Sequence, residues 1–482
     1  MSTLVELARD SLFSIVLHLA PRLANVILFI LVGRLAGPSE AGVFSLATTY
    51  LLIFTAIMRG LDDLVIRQVS REPGQAPHYL TSFLLLRLVL SSLSWGIMSF
   101  IVLVVLDYSA RTTSTILILA LSLLPENLTC VAQSVLMGER RFGVPAATIS
   151  FASAFKLLGG VAVVLGGGDL RQVAWVWCAG SLLGMVVMLV AAFRQAGRSR
   201  PTAWIEWYPL VHNWREVVVF FGITTLLTLE SQADVIMLGA FHDESVVGWY
   251  GAATTVVFSL TLFSQAYQFS VYPLMTRYAL HEPEKLSRLY TESVRYLGMI
   301  ALPMVCGIAL LAPQVVALVF GPEFGPSVVT LRILIFSLVC MFLSIPNSRM
   351  MLVHNRQGWS WLFVAGSVLV NLLVNLGLAP SLGASGAALA RLCSSALFFL
   401  SNHLYVTRHF VPLNTVKVLL KPAIATLVMA VVVWTVRAWP LPLAIGIGAL
   451  VYVGGIWRLE GSLPGNAVTL LRRAISSLKT GD

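Results

Sequence analysis

The residues best placed to do chemistry in this chain are ionisable groups set inside long apolar runs. Arg22 follows Pro21 directly, Arg87 interrupts LTSFLLLRLVLSSLSW, Glu126 follows Pro125, and Lys156 lies in the middle of its run. Glu230 and Asp234 are four apart, so on a helix they share a face. A charge in the middle of an apolar helix is costly and as a rule faces a cavity or a partner. Two readings therefore stand for Arg22, Lys156, Glu126 and Glu230: cavity lining, or ion pairs buried between helices. Three cations, Arg22, Arg87 and Lys156, against the single carboxylate of Glu126 would make a cavity attractive to an anion such as a diphosphate. Glu230 and Asp234 suit a proton or a sodium ion, or they balance an arginine. Asn371 and Asn375, again one turn apart, are ligand contacts or interhelical hydrogen-bond formers. Arg59, Arg332 and Arg391 sit near segment ends, from which they can reach a headgroup interface. Asp62 and Asp63 lie beside Arg59 and are expected to pair with it.

The elements that hold these groups follow from composition. The 482 residues are 57% hydrophobic and only 11% charged, and the mean hydropathy is +0.85. Soluble domains carry about 25% charged residues, so this chain cannot cover a water-facing surface of its own length. That excludes a soluble enzyme, a disordered regulator and a nucleic-acid-binding protein. Fourteen apolar segments can be read, at 12–33, 43–65, 80–106, 113–137, 145–165, 172–193, 217–240, 248–272, 293–313, 327–349, 359–379, 386–406, 418–436 and 440–457. Alternating them across a bilayer places 22 of the 32 Lys and Arg residues on one side and 4 on the other. By the positive-inside rule the basic side is cytoplasmic, and both termini are expected there. The net charge of +10 is thereby explained by topology and calls for no acidic partner. The start, MSTLVELARD, is acidic where a secretion signal would be basic, so it reads as a permanent first helix.

Loops on the outer side are short, about ten residues at most by this count, and none can hold a folded domain. The cytoplasmic segment Arg194–Glu216 mixes tryptophans with basic residues, and LLRRAISSL near the end is amphipathic. Both read as surface anchors. Sliding the chain by 206 positions lays GRLAGPSEAGVFSLATT on GAFHDESVVGWYGAATT, with Gly33/Gly239, Gly42/Gly248 and Thr49/Thr255 coinciding. Parallel repeats of this kind mark transporters with two lobes around a cavity. The expected architecture is an all-α integral membrane protein with two six-helix lobes related by a pseudo-twofold axis and two further helices. Its parts are an N-lobe at 1–200, a linker at 201–216, a C-lobe at 217–410, helices 13 and 14 at 411–460 and a tail at 461–482. Pro125 and other prolines inside spans should bend their helices. The five cysteines show no metal-ligand spacing. There is no GxxxxGK[ST] motif, so no ATP-hydrolysing module is expected. No cofactor is expected either; energy would come from H+, Na+ or the membrane potential.

The stretch NVILFILVGRLAGPSEAGVFSLATTYLLIFTAIMRGLDDLVIRQVSRE resembles the start of the Wzx-type polysaccharide-biosynthesis flippases. The positions that carry the likeness are Gly37, Pro38, Glu40, Gly42, Gly60, Arg67 and Arg71. LMGERRFG at Leu136–Gly143 and FGPEFGPSVVTLRIL at Phe320–Leu334 are similar to stretches of the same family. The resemblance implies the MOP-superfamily fold shared with MATE exporters and lipid II flippases, although many members have twelve helices. It also implies the activity: moving an undecaprenyl-diphosphate-linked oligosaccharide across the cytoplasmic (inner) membrane for surface polysaccharide assembly. The partners it implies are that lipid-linked glycan, membrane lipids and other assembly proteins. Arg22, Arg87 and Lys156 would meet the family's expectation of a cationic cavity. A MATE-like exporter of small molecules would want an acid-rich cavity, against the basic excess in helices 1–5. A polymerase or glycosyltransferase would want a large outward loop, so no enzymatic activity is expected.

Overall fold

The computed structural model describes residues 2–56, 58–196 and 214–460. The expected tail at 461–482 and most of the expected linker, through residue 213, lie outside these residues. Among the described residues the regular structure is helical. The first unit contains α1 (Ser2–Ala56), α2 (Arg59–Arg71), α3 (Ala76–Phe100), α4 (Ala110–Ala120), α5 (Leu123–Gly138), α6 (Gly143–Leu165), α7 (Leu170–Ala196) and α8 (Trp214–Phe241). After these come α9 (Glu244–His281), α10 (Pro283–Val319), α11 (Ser327–Leu334), α12 (Ser337–Val353), α13 (Gln357–Leu382), α14 (Ala384–His409), α15 (Thr415–Val436) and α16 (Leu441–Glu460). The chain divides into two compact units, Met1–Gly248 and Trp249–Asp482.

Twelve helices among the described residues are long and apolar enough to cross a membrane. Segments 12–33 and 43–65 of the fourteen are two helices that abut within one of them, Leu19–Ala56, with the end of the second segment on α2, and segment 217–240 lies on α8, which is not among the twelve. The two helices meet at Gly37, whose φ of 89° and ψ of 177° end the first without an intervening loop. A side chain there would be strained, which is the reason for glycine. Pro38 follows at once, where its fixed φ suits a new helical start.

The expected proline break is also present. Segment 113–137 is divided into α4 and α5, with Leu121 and Ser122 between them. Proline clashes with the carbonyl four residues before it, and for Pro125 that residue is Leu121.

Packing is inverted relative to a water-soluble bundle. On α3, Tyr79, Phe83, Arg87, Ser91 and Met98 are buried, while Val89, Leu93, Ile97 and Phe100 are exposed. On α13, Ser367, Asn371 and Asn375 are buried, while Leu362, Leu369, Leu373 and Leu376 face outward. Apolar stripes of this extent are stable only against lipid, and the helical backbone satisfies its own hydrogen bonds there. In the second unit, α15 and α16 pack on α10 through Leu311, Met429, Val433 and Ala444.

Candidate functional site

Two polar clusters meet on α5, at adjacent residues. Glu126 belongs to one and Asn127 to the other.

In the first cluster the Glu126 carboxylate reaches α6 and α7. Lys156 Nζ donates to Glu126 Oε1 at 2.8 Å, Trp177 Nε1 donates to the same oxygen at 3.0 Å, and Ser181 Oγ donates to it at 2.9 Å. Lys156 Nζ also stands 4.7 Å from the centre of the Trp177 ring, a cation–π contact. Trp177 and Ser181 are one turn apart on α7, so they present both donors on one face. The Lys156 side chain is 15% exposed and that of Glu126 is 23% exposed. Lys156 and Trp177 line a small cavity of about 40 Å³ together with Pro21, Ala24, Leu28, Ser153 and Leu157.

In the second cluster Arg87 is 1% exposed and ion-paired with Asp62 of α2. Its other terminal nitrogen donates to Asn127 Oδ1 at 2.9 Å. Asn127 in turn donates to the Leu123 carbonyl at 3.0 Å. Asp62 can reach Arg87 because α2 is amphipathic: Leu61, Leu64, Val65 and Val69 pack against Tyr79, Leu80 and Phe83 of α3 and Val131, Val135 and Leu136 of α5. Burying the helix face fixes its rotation, and the rotation delivers the carboxylate.

The expected excess of cations changes accordingly. Asp62 takes Arg87 as its ion-pair partner, and Arg59 stays exposed. The first unit therefore holds one buried pair, Arg87–Asp62, and one half-buried pair, Lys156–Glu126, not three cations around one acid. Arg87 is sealed in protein, whereas Lys156 borders open space. Arg22 is exposed on α1, one residue beyond the cavity-lining Pro21. Asp234 is fully buried on α8, and Glu230 is half-buried one turn before it. On α13 both Asn371 and Asn375 are fully buried, and Asn375 Nδ2 donates to the Asn371 carbonyl at 3.1 Å and to its Oδ1 at 3.2 Å. They interlock along their own helix.

A further polar network joins the helix ends that the charge distribution assigns to the outer side. Arg111 is ion-paired with Glu40 and lies 3.6 Å from Asp169. Ser109 Oγ and Thr112 Oγ1 both donate to Glu244 Oε1, at 2.8 and 2.6 Å. In the same region Gly42 and Gly248, equivalent in the repeat, touch reciprocally. A Cβ on Gly42 would lie 1.7 Å from the Glu244 carbonyl oxygen and 3.0 Å from Gly248 N; one on Gly248 would lie 2.0 Å from the Pro38 carbonyl oxygen and 3.1 Å from Gly42 N. Hydrogen bonds to a charged group contribute about 1.5–3 kcal/mol each. Glu244→Ala should lower the thermal midpoint of the purified protein, and Glu244→Gln, which keeps an accepting oxygen, should restore most of it. An equal loss in both variants would show that the charge, not the hydrogen bonding, holds the helix ends.

Sequence reasoning did not single out Trp177, Ser181, Asn127, Ser109, Thr112 or Glu244. Tryptophan and serine are ordinary in membrane segments, so only the adjacency of Asn127 to Pro125 and Glu126 was a signal.

Charged pairs held between long helices whose outward sides are apolar define a multi-pass membrane protein. The family of polysaccharide biosynthesis proteins matches residues 30–329, and this chain belongs to it. It is 26% identical over 373 residues to the probable low-salt glycan biosynthesis flippase Agl15 of Haloferax volcanii, covering 76% of each chain. Its fold is similar to that of the lipid II flippase MurJ in an inward closed conformation, with a TM-score of 0.76, 16% identity, and coverage of 93% of this chain and 98% of MurJ. It is also similar to an inward-facing MATE multidrug resistance transporter of the MOP superfamily, with a TM-score of 0.65, 16% identity, and coverage of 80% and 95%. The chain thus has the MOP-superfamily fold.

Proposed function

We propose that this protein is a flippase that moves a lipid-linked oligosaccharide across the cytoplasmic membrane, with undecaprenyl diphosphate as the carrier and surface polysaccharide as the end product. The observation that carries this reading is that the polysaccharide biosynthesis match, at 30–329, spans both ion pairs and the cavity residue Lys156. In this reading two six-helix lobes, with both termini on the cytoplasmic side, alternate their access to the two membrane faces. Lys156, with Arg22 near the cavity mouth, meets the diphosphate. Arg87, held by Asp62 and Asn127, is a positioning residue that fixes α2 and α3 against α5. Asn371 and Asn375 shape the interior of the second unit. Glu126, Glu230 and Asp234 are the candidates for ion coupling, to H+ or Na+.

Lipid tails can stay in the bilayer while only the headgroup passes through a polar interior, which suits helices such as α3 and α13 with apolar outward sides and polar buried ones. Deleting the gene should cause the complete oligosaccharide-lipid to accumulate on the cytoplasmic face, as read by mass spectrometry of the intermediates on each face. Wild type should restore its export, and Lys156→Met should not. Unchanged intermediates with raised sensitivity to cationic drugs would favour the exporter reading that the MATE-like fold also allows.

A further inference from the structure

From Phe324 to Leu459 the chain contains no aspartate or glutamate, against nine lysines and arginines. The fold gathers several of these cations at one edge of the second unit, at the end that the charge distribution assigns to the cytoplasm. The packed helices α12 and α14 both finish there. The end of α12 closes with Asn355 N–H on the Leu352 carbonyl and Arg356 N–H on the Met351 carbonyl, at 3.1 and 2.8 Å. Asn355 takes the left-handed φ of 55° that such a turn requires. The end of α14 closes with the N–H groups of Phe410 and Val411 both on the Val406 carbonyl. Each end carries a histidine whose Nδ1 donates to the carbonyl four residues before it: His354 to Met350 at 2.8 Å, and His409 to Tyr405 at 2.9 Å.

These bonds fix both imidazole rings, and the rings lock the two ends together. His354 stacks on Phe410 with centroids 4.1 Å apart, and His409 stacks on Tyr405 at 4.3 Å. Tyr405 also meets Phe410 edge-on and lies 5.7 Å from Trp359 of α13, which is 47% exposed. Tyrosine and tryptophan in such a setting belong at the headgroup level of a bilayer. Arg356 and Arg408 flank the stack, and Lys417 follows at the start of α15; all three are exposed. Among the described residues none of the three has a carboxylate partner. The start of α10, which packs on α12, carries Glu282, Glu284 and Glu292 against Lys285, Arg288 and Arg295, so it supplies no net negative charge. The opposite charge that suits this edge is at hand on the surface of the membrane itself.

We infer that this edge of the second unit is a binding site for the phosphodiester headgroup of an anionic phospholipid in the cytoplasmic leaflet. Arg356 and Arg408 hold the phosphate with their guanidinium forks, Lys417 adds a point charge, and Trp359 and Tyr405 lie along the glycerol and the upper acyl chains. The backbone that carries these groups is already ordered by the stacked rings and the two helix-end turns, so binding costs little further ordering. The site needs no polyprenyl carrier and stands whether or not the protein moves a glycan.

The test is native mass spectrometry of the purified full chain with phosphatidylglycerol or phosphatidylcholine, each bound lipid being resolved by its mass. A basic residue beside an anionic headgroup contributes about fivefold in affinity, so two should favour phosphatidylglycerol by about thirtyfold. Arg356→Gln/Arg408→Gln should lose that preference. Arg194→Gln/Arg277→Gln removes the same charge from exposed positions elsewhere on the basic side and should keep it. All four arginines are exposed, so thermal midpoints should not move. Tyr405→Phe should bind as wild type does. Tyr405→Leu keeps every charge but removes the central ring, and should bind several-fold more weakly. Equal affinity for the two lipids overturns the inference. So does an equal loss in both arginine pairs, which would make the attraction a diffuse effect of charge. Displacement of bound phosphatidylglycerol by polyglutamate would assign the edge to an acidic protein partner, and displacement by inorganic phosphate to a free anion; either result also overturns it.

Discussion

Arg87→Leu should destabilise the protein by about 3–5 kcal/mol, because it leaves the carboxylate of Asp62 in a low-dielectric interior without its counter-charge. Arg87 is almost wholly buried, and its two terminal nitrogens are engaged by Asp62 and Asn127. It therefore ties together three helices, α2, α3 and α5. Removing both partners in Arg87→Leu/Asp62→Leu should recover most of the loss, since two apolar side chains of similar bulk need no compensation and replacing a buried pair is often neutral. The measurement is unfolding of each variant in detergent, with the double-mutant cycle giving the coupling. A single variant as mild as an exposed substitution, within about 0.5 kcal/mol, would show that the pair does not hold these helices.

Gly42→Ala should be nearly as damaging, although it adds one methyl group. That methyl would sit 1.7 Å from the backbone oxygen of Glu244, and a backbone carbonyl cannot swing aside as a flexible side chain can. The helix ends around Gly42 and Gly248 must separate, and Glu244 then leaves Ser109 and Thr112. A cost of at least about 3 kcal/mol is expected for overpacking against a rigid neighbour. Gly96→Ala is the matched control. Its Cβ would meet nothing within 4 Å on the outward face of α3, so helix propensity should make it neutral or slightly stabilising. Thermal midpoints of the two variants separate these expectations, and equal midpoints would mean that the glycine contact can be opened freely.

Much of this architecture is legible in the sequence because the bilayer enforces simple rules. Apolar runs, the one-sided distribution of arginines and Pro125 lead to the helices, the membrane class and the break between α4 and α5. The charges at Lys156 and Glu126 stand out because little except a partner or a cavity justifies them at mid-helix. Their pairing with each other across 30 positions is not legible, because the helical period says which face a residue occupies but not which helix lies opposite. The same gap hides Asp62, which lies beside Arg59 in the chain but beside Arg87 in space. Gly42 and Gly248 are visible as coincident positions of the repeat, yet their mutual contact depends on how helix ends meet. That the first two helices abut at Gly37 without a loop is likewise hidden, since GRLAGPSEAG reads as an open loop until the glycine torsion is known.

The most direct test of the account is transport by the purified full chain reconstituted into liposomes that contain undecaprenyl-diphosphate-linked oligosaccharide in both leaflets. A membrane-impermeant glycosidase added outside should trim only the outer half of the pool in protein-free vesicles. With the wild-type protein it should consume nearly all of it, and with Lys156→Met only the outer half again. If wild-type vesicles protect the inner half as fully as protein-free ones, with the protein shown to be folded, the chain is not a flippase for this lipid.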